Sequence, residues 1–404
     1  MKPLRAALIA SFALLCSQVP AAQSPASPGA IRHVAVRGFA LVVKGDGSVI
    51  GFGKDESTMA ARPRTGGWVT APEVIGLPGK ARQVAVGDHS AYALLEDGTV
   101  VAWGANDEGQ LGNGAMGASG QLGIYPKPSV TPVKVTGLAE IVQIEAGAKF
   151  ALALRRDGAV LAWGTRDDGA VGDGRPAGLR PLMAIGPARI PGLEGITQIA
   201  AGRTHALALR RDGRVMSWGS NRNGELGVGT RDTGWAPAEV TGFDRVVAID
   251  AGDSAGHGAS GGVRDDGTVW MWGSNASAML GDSDRPLSPD DPGGRNLLPV
   301  LVKGVTGAKG ITIGSGTVAA LLGDGTLRSW GHDGFGQMGV GARGGDHRKA
   351  TKVATLAGVA SVYMGGFHSF AVLGDGTLWV WGFSFSGEGV LAKHLRVPTR
   401  LDLP

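Results

Sequence analysis

Seven times along this chain an Asp-Gly pair is followed, seven residues after its aspartate, by a glycine with an aromatic in front of it. The aspartates are Asp46, Asp97, Asp157, Asp212, Asp266, Asp324 and Asp375, and the glycines are Gly53, Gly104, Gly164, Gly219, Gly273, Gly331 and Gly382. Phe52 precedes the first glycine, and Trp103, Trp163, Trp218, Trp272, Trp330 and Trp381 precede the others. The interval inside the unit is constant, whereas successive units begin 51, 60, 55, 54, 58 and 51 residues apart. A fixed core with a variable period is one structural unit repeated with loops of different length, so the chain folds as an array of like pieces.

Each unit reads as β-structure. An apolar run such as 150–154 precedes the Asp-Gly and an alternating one such as 159–163 follows it, which is the pattern of a hairpin closed by a type I′ turn. Two further strands precede the hairpin; in the third unit they are 132–135 and 141–144, joined by a Gly-Leu turn. The 70 glycines among 404 residues suit many short strands and tight turns, and argue against long helices, where each interior glycine costs about 1 kcal/mol. One four-stranded sheet cannot bury both faces alone, but seven set radially can. The fold expected is therefore all-β: a seven-bladed β-propeller of four-stranded antiparallel blades. The first unit lacks its opening strand, and residues 397–403 match one, so the ring is expected to close by pairing of the N- and C-terminal strands, placing 397–403 on the sheet that holds residues 31–53.

Residues 1–21 carry Lys2 and Arg5, an apolar run from Ala6 to Leu15, and Val19-Pro20-Ala21, the pattern of a secretory signal peptide cleaved after Ala21. Residues 22–30 then form a short linker and 31–404 a single propeller. The apolar run is too short to span a bilayer, so no membrane insertion is expected. Cys16 is the one cysteine and would leave with the signal, which excludes disulfides and thiol catalysis. Removing Lys2 and Arg5 as well leaves 37 basic against 35 acidic residues, too even a balance for a nucleic-acid binder. These features suit a bacterial periplasmic or secreted monomer.

The pattern Gly-x-x-His-x-x-x-Leu-x-x-Asp-Gly-x-x-x-x-Trp-Gly-x-Asn-x-x-Gly-x-Leu-Gly resembles the repeat of the regulator of chromosome condensation family. The fourth unit carries it most fully, with Gly202, His205, Leu209, Asp212, Gly213, Trp218, Gly219, Asn221, Gly224, Leu226 and Gly227. The resemblance spans residues 31–404 and implies a seven-bladed propeller acting mainly through protein contacts; the family includes a nuclear exchange factor for a small GTPase, a plant light sensor and secreted β-lactamase inhibitors. Two departures stand out. The first unit lacks the Leu-Gly-x-Gly tail after Gly53. The fifth has four extra residues between Gly252 and Asp266, so its blade is expected to be distorted or mobile. The light sensor's stacked tryptophans and Gly-Trp-Arg-His-Thr motif are missing.

No chemical motif recurs. The eight histidines show no metal-ligand spacing, and there is neither a nucleophile elbow nor a Walker pattern. The acidic stretch 282–291 reads as a solvated loop rather than a calcium site. The chain is accordingly expected to be no enzyme, with no cofactor and no metal. Function falls to the loops that follow each Trp-Gly, which should emerge on one face of the disc and carry Trp68, Tyr125, Trp235, Phe335, Phe383 and Phe385 among Arg62, Arg64, Arg166, Arg222 and Arg231. Aromatics with arginine make up interface hot spots, and Trp68 and Trp235, read as lying outside the strands, are the first choices as anchors. The expected function is a non-catalytic module that binds a protein partner outside the cytoplasm, with enzyme inhibition as one form of that activity. The alternative is a glycan-binding lectin or a hydrolase or lyase with its site at the channel mouth. Nucleotide exchange follows from the family name alone and conflicts with export.

Overall fold

The computed structural model describes residues 29–55, 59, 61, 68–114, 128–176, 183–254, 256–281, 294–341, 344–383 and 394–404. The signal segment, most of the linker and the acidic stretch 282–291 lie outside them. Seven four-stranded antiparallel sheets follow one another along the chain: blades 1 to 7 occupy residues 31–75, 81–134, 141–189, 196–239, 246–301, 308–352 and 359–401. The one helical element among the described residues is the 3-10 turn Asp167–Gly169. Blade 3 shows the plan: Ile141–Ala146 is the inner strand, Phe150–Arg155 and Val160–Thr165 form the hairpin, and Met183–Arg189 is the outer edge.

The hairpins sit where the Asp-Gly pairs are, but their turns are of another kind. The turn glycines have φ between 77° and 86°, while none of the seven aspartates has positive φ. Gly98 N donates to Leu95 O at 3.0 Å. This is a type I turn followed by a left-handed glycine, the three-residue loop with a bulge, rather than type I′. The aspartate is there for its side chain: Thr99 N donates to Asp97 Oδ1 at 2.8 Å, and Thr377 N to Asp375 Oδ1 at 2.9 Å. Every copy repeats this bond from the residue two further on.

Two expectations about strand order are overturned. Each outer strand pairs with the third strand of its own hairpin, as Val101 with Lys134 and Ala102 with Val133, so it closes the preceding unit rather than opening the next. After the loop that follows the third strand the chain returns antiparallel to it, and the Gly-Leu segment beyond is the step to the next blade. Consequently blade 1 owns its fourth strand, Trp68–Ile75, and His394–Leu401 pairs with Leu378–Phe383 in blade 7. No sheet is shared by the two termini. The ring closes by the same contact that joins other neighbouring blades. Ile31 N donates to Gly376 O at 3.0 Å, just as Ala81 N does to Gly47 O and Val359 N to Gly325 O. Blade 5 is not distorted either. Its extra residues extend both strands of a regular hairpin, with Asp253 opposite Gly258 and Ser254 opposite His257, while Ala259 keeps its place opposite Gly273.

The core lies between blades. Each Trp-Gly indole is buried and reaches into the loop of the preceding blade: Trp163 Nε1 donates to Gln110 O at 2.7 Å, Trp218 Nε1 to Ala170 O at 3.0 Å, and Trp381 Nε1 to Gln337 O at 2.7 Å. At the closing joint Phe52 has no N–H to offer and packs edge-on against Phe370, ring centroids 6.1 Å apart. Nearer the axis, Gln143 Nε2 donates to Ile199 O at 2.8 Å while Ile199 N donates to Gln143 Oε1 at 3.0 Å. Gln83 brackets Ile144 and Gln198 brackets Ile249 in the same way, so buried glutamines stitch blades 2 to 5 together.

Candidate functional site

In six blades the glycine after the aromatic lies opposite the first residue of the second strand, as Ser90 with Gly104 and His368 with Gly382, and in blade 5, whose hairpin is longer, Gly273 lies opposite the third, Ala259. All seven following loops therefore leave at one end of the strands, the end at which the inner strands turn outward. Glycine is required at that point. Gly164 has φ 106°, and a Cβ there would sit 2.3 Å from Lys149 O. Loop face and channel mouth are thus one surface.

The predicted site residues fall into three sets. Arg62, Arg64, Tyr125 and Phe385, together with the Trp68 side chain, lie outside the described residues. Arg166, Arg222, Arg231 and Trp235 gather where the loops of blades 3 and 4 meet. Arg166 donates to Asp173 Oδ2 at 2.7 Å and to Met183 O at 2.5 Å, and Arg231 donates to Arg222 O at 2.8 Å, so both fasten their own loops. Arg222 crosses between blades to Asp168 Oδ1 at 3.1 Å with its side chain 74% exposed. Trp68 and Trp235 are not loop residues, contrary to expectation. They stand in the outer strands Trp68–Ile75 and Gly234–Glu239, where the chain is already paired, and Trp235 is half-buried with its carbonyl accepting from Gly174 N at 2.8 Å.

The third set is an aromatic cluster on blades 6 and 7. Phe335 packs edge-on against Phe367 at 4.8 Å and Phe383 at 5.9 Å between ring centroids, with His394 5.5 Å away and His332 at 6.4 Å. His332 is held by Asp346 through Nδ1 at 2.9 Å. Phe367 was not singled out in the sequence, because it follows an inner-strand glycine rather than a Trp-Gly; it is 48% exposed and reaches the channel mouth.

The mouth itself opens into a cavity of about 420 Å³ lined from all seven blades. Six residues after the start of the inner strand, six blades have a glycine: Gly87, Gly147, Gly202, Gly252, Gly314 and Gly365. Blade 1 has Arg37 there. Its guanidinium reaches across three other blades, from Nε to Val86 O at 3.1 Å and Nη1 to Asp88 Oδ1 at 3.3 Å in blade 2, and from Nη2 to Ala146 O at 3.1 Å in blade 3 and to Gly202 O at 3.4 Å beside blade 4. Two residues before the glycines of blades 3 and 5 stand Glu145 and Asp250. Burial pushes the Glu145 carboxyl up to about 8 and that of Asp250 up to about 7, with the Arg37 charge pulling both down. Arginine in a position held six times by glycine was the sequence signal for this site, legible only once the repeats are aligned at their inner strands. Among the described residues no group of three or more His, Cys, Asp or Glu could hold a metal ion.

A closed ring of seven like four-stranded blades, with its loops leaving at the end where a central cavity opens, defines a β-propeller. Its repeats are those of the regulator of chromosome condensation (RCC1) repeat, which matches residues 81–110, 141–169, 196–225 and 359–388 in one form and 97–154, 157–209 and 212–255 in another; the chain belongs to that family. It is 30% identical to the Ultraviolet-B receptor UVR8 of Arabidopsis thaliana over 81% of this chain and 70% of that protein. It is 27% identical to the human E3 ubiquitin-protein ligase HERC2 over 87% of the chain, which spans 7% of that ligase. Prp20p of Saccharomyces cerevisiae, described with its binding properties to Gsp1p and histones, superposes with a TM-score of 0.69 at 24% identity, covering 88% of this chain and 86% of that one.

Proposed function

We propose that this propeller is a non-catalytic binding module, exported behind residues 1–21, that holds a protein partner on its Trp-Gly face and acts on a secreted enzyme as an inhibitor would. The observation that carries the reading is the aromatic cluster of Phe335, Phe367, Phe383 and His394, which sets a half-exposed phenylalanine at the channel mouth, at the end from which the loops leave. An exposed aromatic braced by other rings presents its area at little entropic cost, as anchors of interfaces do. Relatives in the family, Prp20p among them, are proteins that bind proteins.

The test is affinity capture from an envelope extract, comparing the wild-type propeller with Phe367→Ala. Val74→Ala, on the outer edge of blade 1, is the control. Loss of the anchor is expected to weaken the captured complex by about 2 kcal/mol with an unchanged thermal melt. Equal capture by both variants would move the interface elsewhere.

Export is tested by N-terminal sequencing of protein recovered outside the cytoplasm, with Ala22 expected as the first residue. A retained Met1 on cytoplasmic protein would overturn it and favour the exchange-factor reading.

A further inference from the structure

The channel cavity holds opposite charges at two depths, and neither is fully used by the protein. At the rim, Asp88 serves two guanidiniums, Arg37 through Nη1 at 3.3 Å and Arg203 through Nε at 2.9 Å. Arg37 spends its remaining donors on carbonyls of blades 2, 3 and 4. Arg203 does not: its terminal nitrogens take no hydrogen bond among the described residues, and its side chain is 46% exposed. Deeper in, Glu145 Oε1 accepts from Gln143 Nε2 at 3.0 Å, while its second oxygen takes no bond among the described residues. Asp250, at the equivalent place in blade 5, has Oδ1 on Ala251 N and Oδ2 on Ile313 N. His33 also lines the cavity; it is only 5% exposed, and its Nδ1 has no hydrogen-bond partner among the described residues.

We propose that this cavity binds a small zwitterion, with its carboxylate on Arg203 at the rim and its ammonium on Glu145 below. The volume of about 420 Å³ lies at the lower end of ligand pockets and suits a molecule the size of an amino acid or dipeptide. Charge selects the class. A ligand with only a cation would meet Arg37, Arg203 and Lys54, and one with only an anion would meet Asp253 and bring no counter-charge to Glu145; a molecule carrying both can set each charge against its opposite. An ammonium beside Glu145 would supply the counter-charge that burial withholds from its carboxyl, whose protonation is otherwise favoured. Tyr363, edge-on to His33 with centroids 5.3 Å apart, gives the site an apolar wall.

The inference does not depend on a protein partner at the loop face. Calorimetric titration of the full propeller with glycine and glycylglycine, against glycinamide and N-acetylglycine, tests it directly. At least one zwitterion is expected to bind about tenfold more tightly than either single-charge relative. Glu145→Gln and Arg203→Gln are each expected to remove that preference without lowering the thermal melt. The wild-type comparison decides the matter even where a variant fails to fold. Equal binding of all four probes, no heat from either zwitterion, or an unchanged preference in both folded variants would overturn the proposal.

Discussion

A single hydrogen bond accounts for the aspartate that recurs in all seven turns, and it gives the protein part of its acid sensitivity. Bonds from the residue two further on hold the carboxyls of Asp46, Asp97, Asp266, Asp324 and Asp375 below the usual range, and the Arg155 guanidinium, with the Ala159 N–H, holds Asp157 down to about 2. Groups depressed in the fold stabilise it above the unfolded value of about 4 and lose that contribution as pH falls through the folded value. Buried His33, His205 and His368, lowered by desolvation to about 4, 4 and 3, act in the same direction between about pH 6.5 and 4. Glu145 and Asp250 act oppositely. Raised in the fold, they favour it at low pH and cost stability as pH climbs through 7 to 8. Three histidines outweigh two carboxyls below about pH 6.5, and above it the carboxyls act alone. The melting temperature is therefore expected to peak near neutrality, fall steeply below about pH 4, and decline mildly toward pH 9. Calorimetry across pH 2 to 9 checks this, and Glu145→Gln with Asp250→Asn should flatten the alkaline side.

The elements are ordinary hairpins; what is particular is how neighbouring inner strands are joined. Gln143 closes two hydrogen bonds on Ile199, and the aliphatic alternative at that position would leave a buried N–H and a buried carbonyl unpaired. Gln143→Leu is expected to cost about 2 to 4 kcal/mol in a urea unfolding experiment, well above the roughly 1 kcal/mol typical of a single substitution. A cost below about 1 kcal/mol would show that the blades are held by the indoles and apolar packing instead. The glutamines were visible in the sequence as Gln83-Val84, Gln143-Ile144 and Gln198-Ile199 in matching places. Their partners were not, because a bracket across blades depends on the rotation from one sheet to the next.

For the whole molecule, closure by like contacts rather than by a shared sheet changes what truncation should do. Removing residues 394–404 strips the outer strand of blade 7 and leaves intact the bonds from Ile31 to Gly376 and from Gly366 to Arg37 that join blades 7 and 1. The truncated chain is expected to melt at lower temperature yet keep the radius of gyration of a closed ring in X-ray scattering. An expansion on truncation would restore the outer strand as the element that closes the ring. Because six blades bury a tryptophan in their neighbour and blade 1 packs Phe52 against blade 7, the intact ring should unfold in one transition rather than blade by blade.

The repeat by itself determined the blade count, the hairpins and the end of the disc from which the loops emerge. These follow from strand periodicity and turn chemistry, both of which act within a few residues along the chain. The tertiary structure decided which sheet owns each outer strand, and it withdrew Trp68 and Trp235 from the loops. It also brought Arg37, Asp88, Arg203, Glu145 and Phe367 to one mouth from positions up to 330 residues apart. Those residues carry no local pattern. They meet only because seven similar sheets, each unable to bury its faces alone, must share them around a common axis.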